Sequence, residues 1–225
     1  MDYIISILPA LLRGTMWSVA IFIITLVLSL PLGLPLALGE NSRIKPIKWF
    51  CNLYVLIFRG TPLLLQLFFF YFFLPVTLGI TFTGEPATDA FITACITFVL
   101  NYAAYFAEIY RGGMNGIDRG QYEAAASLGL SRAQTIMGIV VPQMLRMVLP
   151  PVANEAIVLI KDTSLAYVIS VAELMKAANS AVNRDVTVVA YVIAAAIYLI
   201  FSAVVTVIFN KIEKRASKFD QKEEW

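Results

Sequence analysis

Residues 14–39 carry no charge, and neither do residues 186–210. Wound as a helix at 1.5 Å per residue, the second stretch is about 37 Å long, enough to cross a hydrocarbon core with some tilt. Uncharged apolar runs of this length point to membrane-spanning helices. The rest of the chain agrees. Of 225 residues, 60% are hydrophobic and 14% charged, too apolar for a soluble domain of this size. Three further apolar stretches, about 50–74, 90–110 and 151–171, bring the expected set to five spans. The sequence therefore predicts an all-α membrane protein forming one domain over 1–225.

The ends and loops refine this. Ile4, Ile5, Leu8, Leu11 and Leu12 share one helical face, so residues 1–13 are expected to form a short helix on the membrane surface. Asp2 and the lack of an early basic cluster argue against a signal peptide. Pro31 and Pro35 are expected to bend the inner end of the first span. Residues 84–89 form a turn-rich loop without a basic residue. The segment 211–225 reads as a charged, solvated tail. Basic residues collect in three segments, with four in 40–59, four in 108–146 and five in 211–225. The positive-inside rule then places those segments in the cytosol, with the N-terminus outside.

Several function classes drop out. There is no histidine, so Ser-His-Asp and Cys-His sites and histidine metal ligands are excluded. The two cysteines, Cys51 and Cys95, lack CxxC spacing and read as buried thiols. No GxxxxGK[ST] loop is present, so the chain is not expected to hydrolyse ATP. Nothing forms a catalytic pair, and no metal, cofactor or nucleic acid is expected on this chain.

Between the third and fourth spans lies a polar, small-residue stretch, 118–142, reading DRGQYEAAASLGLSRAQTIMGIVVP. Asp118 with Gln121, and Ser131 with Gln134, have capping-box spacing. Gly129 fits the left-handed position past a helix end. Two short helices, 118–128 and 131–141, are predicted to meet at a sharp corner. This stretch resembles the EAA loop of ABC-importer permeases. Glu123, Ala124, Ala125, Gly129, Ile139 and Pro142 fall at the family's spacings, while Val141 stands where leucine is usual. Arg59-Gly60-Thr61-Pro62-Leu63-Leu64-Leu65-Gln66 resembles a segment of the polar amino-acid permeases of histidine/glutamine type. So do Asn101-Tyr102-Ala103-Ala104-Tyr105 with Glu108 and Arg111-Gly112-Gly113, and Asn154-Glu155 with Lys161-Asp162-Thr163-Ser164-Leu165.

The resemblance implies a five-span permease of type I ABC-importer architecture in a prokaryotic cytoplasmic membrane. It implies two ATPase subunits, which carry ATP and Mg, a second permease chain and an external solute-binding protein. It also implies an ATPase contact at Glu123, Ala124, Ala125, Gly129 and Ser131, and transport of a polar or charged amino acid by alternating access.

The candidate residues also have a physical reading. Glu155, Lys161 and Asp162 sit in an otherwise apolar span, where a charge costs about 2.5–3.5 kcal/mol on insertion scales, so they should face protein or water. Asp162 or Thr163 is expected to cap a new helix near Ser164, whose free N–H groups would meet a carboxylate. With Asn154, these are the candidate substrate ligands; a Glu155–Lys161 or Lys161–Asp162 pair joining helices is the other reading. Arg59 is either an interfacial anchor or a gate. Gln66 either bonds between helices or lines the pathway. Asn101 is an alternative pathway residue. Glu108 either pairs with Arg111 or serves the pathway. A basic substrate is slightly favoured over glutamine. An importer for another small polar solute, and a secondary transporter or channel, are the competing readings.

Overall fold

The computed structural model describes residues 2–217 and contains no strand among them. Its helices are α1 (Asp2–Glu40), α2 (Lys45–Gly60), α3 (Leu63–Phe72), α4 (Pro86–Asn115) and α5 (Arg119–Ser127). They continue as α6 (Arg132–Thr135), α7 (Val141–Met147), α8 (Leu149–Asp162), α9 (Leu174–Asp185) and α10 (Val189–Ser217). Three of them, α1, α4 and α10, are each long and apolar enough to cross a membrane. Two bent pairs raise the number to five. The all-helical, five-span expectation is met on that count, although two of the five spans are broken.

The first break is in the second span. Lys45–Gly60 and Leu63–Thr77 meet at 105°. Pro62 has no N–H to continue α2 and presets φ for the start of α3, so the corner falls at Thr61-Pro62. Residues 50–74 are thus two helices rather than one. The second break is milder: Arg132–Met147 and Leu149–Ile169 meet at 54°, where Pro150 and Pro151 follow Leu149.

α4 lies at the centre. Phe98, Tyr102, Ala104, Phe106 and Ala107 are all buried, and they form the main core with Ile21, Phe22 and Ala37 of α1 and Leu159 and Ile160 of α8. Gly33 makes the α1–α4 contact possible. A Cβ there would lie 2.8 Å from the Phe106 Cβ and 3.0 Å from the Ala107 nitrogen, too close for any side chain. α10, by contrast, exposes Val192, Leu199, Ile200, Val204, Val207 and Ile208, a surface suited to lipid or another chain.

Two further expectations are corrected, and one helix is new. Residue 1 lies outside the described residues, and residues 2–13 are not a separate surface helix. They continue into the first span as α1, which stays helical through Pro9, Pro31 and Pro35, and Ile7 and Leu11 pack under α9 and α10. The second motif helix does not stop at residue 141. It runs on through a π-helical turn, Ile136–Val140, into α7. There the Val141 N–H reaches back to the Ile136 carbonyl, a wider turn that accommodates Pro142. α9 was not anticipated at all. Its N-cap is Glu173, a fully buried carboxylate accepting from the N–H groups of Met175 (2.8 Å) and Lys176 (2.7 Å). It also accepts from the hydroxyls of Tyr198 (3.0 Å) and Ser18 (3.3 Å), which ties α9 to α10 and α1. Of the expected tail, 211–217 extends α10 and 218–225 lies outside the described residues.

Candidate functional site

A cavity of about 380 Å³ opens at the α2–α3 corner. Its polar lining includes Arg59, Asn101, Tyr102, Tyr105, Glu155 and Asp162. These residues come from three elements. Arg59 is in the last turn of α2, the Asn101–Tyr105 segment belongs to α4, and Glu155 and Asp162 lie seven residues apart on α8. Seven residues is close to two helical turns, so both carboxylates fall on one face.

The corner itself is held by two amides. The end of α2 leaves carbonyls without helical partners. Gln66 Nε2 donates to the Phe58 carbonyl (2.9 Å), the Thr61 carbonyl (3.1 Å) and the Thr61 hydroxyl (2.8 Å). Asn101 Nδ2 donates to the same Phe58 carbonyl (3.0 Å) and to Gln66 Oε1 (2.9 Å). Both amides are buried. Gln66 therefore bonds between helices and fixes the corner, while Asn101 does that and lines the cavity as well. The fresh helix start beside the cavity is that of α3, which has no side-chain cap. Its first turn leaves N–H groups without partners inside the helix.

The α8 residues divide. Asp162 Oδ2 accepts from the Tyr102 hydroxyl at 2.7 Å, and Glu155 is half-buried in the cavity wall. Asn154 and Lys161 are exposed and do not line the cavity. Lys161 forms no ion pair with Glu155 or Asp162 among the described residues. Thr163 and Ser164 turn back on their own helix, donating to the carbonyls of Ile160 (2.7 Å) and Lys161 (2.6 Å). The expected new helix with free N–H groups near Ser164 is absent. α8 instead tightens into a 3-10 helix, Thr163–Ile169, with no cap bond from Asp162. The two hydroxyls satisfy carbonyls at a helix end.

Below the cavity runs a chain of charges. Arg59 Nη1 lies 3.1 Å from Glu108 Oε2, and its guanidinium sits 5.5 Å from the centre of the Tyr105 ring. Glu108 also pairs with Arg111, whose Nε lies 3.9 Å from Glu40 Oε2. Glu108 thus makes both the local pair and the contact to α2. Glu40, at 5% exposure, was missed from sequence because it reads as the first residue of a loop.

The 118–142 stretch forms the predicted corner. Asp118 caps α5 by accepting from the Gly120 N–H at 2.6 Å, but Gln121 does not reach back; its Oε1 accepts from Gln143 of α7 at 3.3 Å. Gly129 has φ of +72°. The N–H groups of Gly129 and Leu130 return to the carbonyls of Ala126 (3.0 Å) and Ala125 (3.0 Å), closing the α5 C-terminus in a Schellman pattern. Ser131 and Gln134 form the capping box, with bonds of 3.3 and 2.8 Å. Ala125 is buried, while Glu123, Ala124, Ser127 and Leu128 are exposed.

Residues 29–218 match the family described as binding-protein-dependent transport system inner membrane component. The chain is 36% identical over 216 residues to the L-cystine transport system permease protein TcyB of Bacillus subtilis (strain 168), covering 95% of this chain and 89% of that protein. It is 33% identical over 214 residues to the arginine transport system permease protein ArtQ of the same organism, covering 95% of each. Among solved structures it is similar to the crystal structure of an amino acid ABC transporter with histidines. That match has TM-score 0.84 and 30% identity, and covers 94% of this chain and 96% of the other. It also shares its fold with an inward-facing MetNI methionine ABC transporter, at TM-score 0.74 and 17% identity over 93% of this chain and 97% of the other.

Proposed function

The chain belongs to the family of binding-protein-dependent transport system inner membrane components, and from that premise we propose that it is the membrane subunit of an ATP-driven importer moving a basic amino acid into the cytoplasm. The observation that carries the substrate class is the cavity at the α2–α3 corner. Its volume of about 380 Å³ suits a small molecule. A free amino acid is a zwitterion and needs partners of both signs when it loses water. Glu155 and Asp162 supply the anionic partners, and the open first turn of α3 supplies N–H donors for the carboxylate. Because Arg59 is already paired with Glu108, the lining carries an excess of negative charge, which favours arginine, lysine or histidine over glutamine. The names of the relatives span cystine and arginine, so overall similarity does not choose among substrates.

The cycle is alternating access. A solute-binding protein delivers the amino acid from outside, and a second permease chain completes the pathway. Two partner ATPases carrying ATP and Mg close and open beneath the membrane. The exposed Glu123, Ala124, Ser127 and Leu128 meet the ATPase, whereas Ala125, expected at that contact, is buried within the chain and supports α5 from beneath; Gly129 and Ser131 hold α5 at a fixed angle to the rod that leads into α7. The 118–142 stretch and the C-terminus face the cytosol of a prokaryotic cell, and the N-terminus faces outside. Thirteen basic residues in the cytosolic segments support that orientation.

The test is uptake by the reconstituted transporter, competed with arginine, lysine, histidine, glutamine and glutamate. A basic amino acid should compete best. Competition by glutamine or glutamate alone would overturn the substrate class, and uptake independent of ATP would overturn the importer.

A further inference from the structure

Apart from the polar cavity, a larger groove of about 960 Å³ opens between the α1–α2 turn, the end of α4, α5 and α6. Leu38, Ile44, Ile136 and Val140 give it apolar walls, and Arg43 and Arg132 also line it. Both arginines are exposed. Arg132 donates one N–H to the Asn41 carbonyl at 3.2 Å, and neither arginine has a carboxylate partner among the described residues.

The adjoining start of α2 sets the depth of this groove. Lys45 and Lys48 are exposed there, followed by Trp49 (67% exposed) and Phe50 (60%). Basic residues beside an exposed tryptophan are the composition of the headgroup layer. That composition is what a groove mouth at the level of lipid phosphates would carry. The face proposed to meet the ATPase is set apart from this groove. Tyr122 and Ala126 of α5 line the groove, whereas Glu123, Ala124 and Ser127 of α5 and its C-cap Leu128, also exposed, do not.

We infer that the groove binds an anionic phospholipid, with the phosphate held by Arg43 and Arg132 and an acyl chain lying along Leu38, Ile44, Ile136 and Val140. Two guanidiniums match a phosphate in charge and in donor geometry, and apolar walls match a chain. A lipid seated there joins the α1–α2 turn to α6 and so bears on the stretch that contacts the ATPase. The inference does not depend on which solute is carried.

The experiment uses the assembled transporter in nanodiscs of phosphatidylcholine containing phosphatidylglycerol, with the lipids that stay bound after extraction identified by native mass spectrometry. Wild type should retain phosphatidylglycerol. The Arg43→Gln/Arg132→Gln pair should retain about thirtyfold less, the equivalent of two cationic contacts at a headgroup. Arg43→Lys/Arg132→Lys should keep most of the lipid, and Lys211→Gln should change nothing. Equal retention in the glutamine pair overturns the site. Displacement by free glycerol phosphate overturns the lipid in favour of a simple anion. A photo-crosslinker at Met137, which lines the groove and is 57% exposed, should capture lipid. Capture of the ATPase instead overturns the inference, and this arm decides even if the glutamine pair fails to assemble.

Discussion

Glu155 and Glu108 are both carboxylates at the edge of the α2–α3 corner, yet they should behave differently when neutralised. Glu155 has no ion pair among the described residues and faces the cavity. Glu155→Gln is expected to leave folding intact and raise the KM for a basic amino acid by about ten- to a hundredfold, the loss of one charged hydrogen bond of about 1.5–3 kcal/mol. Uptake kinetics with assembly checked on a gel would show it, and a wild-type KM would remove Glu155 from the site. Glu108 pairs with Arg59, but the two side chains are 27% and 39% exposed. Such a pair contributes at most about 1 kcal/mol to stability. Glu108→Gln should therefore barely shift thermal unfolding while releasing Arg59. If it instead unfolds the permease, the ion chain is a structural strut. At this scale the sequence was informative where a residue type has one use. Glu155 and Asp162 stood out as carboxylates in an apolar span, although the helix was expected to restart near Ser164 rather than run unbroken to Asp162. Ser164 could not be read, because a hydroxyl in a helix either faces a cavity or returns to its own backbone, and only the local turn decides.

Among the elements, the α5–α6 corner was the most legible. Gly129 is required by its backbone, since no atom crowds the space where a side chain would go. Gly129→Val then carries the left-handed penalty alone, at least about 1–2 kcal/mol, and Gly129→Asn should recover much of it. ATPase co-purification should be lost in the first and kept in the second. Retention in both would mean that the corner angle is not what the ATPase reads. Glu123→Lys, on the exposed face, should lower co-purification without unfolding the chain. The α2–α3 corner was the least legible. Phe58 and Leu63–Leu65 make the two sides of Thr61-Pro62 equally apolar, so hydropathy sees one span. The signal was Pro62 together with Gln66, a polar residue placed to receive freed carbonyls. Asn101→Leu leaves the Phe58 carbonyl with one donor fewer and Gln66 Oε1 with none of its described partners. A loss of about 1–3 kcal/mol is expected in detergent unfolding. α9 escaped because Leu174, Ala178 and Ala181 form only a thin apolar stripe, and because glutamate is a weak N-cap predictor.

For the whole molecule, topology is open to a direct measurement. Cys51 and Cys95 are both buried, so an impermeant thiol reagent should find little background. Ser131→Cys should label only after the membrane is opened. Labelling in intact cells would invert the orientation and with it the cytosolic assignment of α5. The five-span count was readable from hydropathy because each span, whole or bent, keeps a long apolar stretch. The continuity of α1 was not, because Arg13 and Pro9 suggest a boundary that packing under α9 overrides.

The close contact at Gly33 also constrains how the protein is made. α1 leaves the ribosome before α4, since Phe106 and Ala107 are synthesised 73 and 74 residues after Gly33. At about 5–20 residues per second, α1 waits roughly 4–15 s for the helix it must touch. During that interval its groove at Gly33 faces lipid, and its hydroxyls have no neighbour. Ser29 donates to the Thr25 carbonyl at 2.5 Å and Thr15 to the Leu11 carbonyl at 2.8 Å, so both are satisfied within the helix itself. Those two hydroxyls need no neighbouring helix, whereas Ser18 gains its Glu173 and Leu174 partners only when α9 is in place. Gly33 keeps a berth open along α1 until α4 is inserted and docks, and a larger residue there would leave two stable helices that never join.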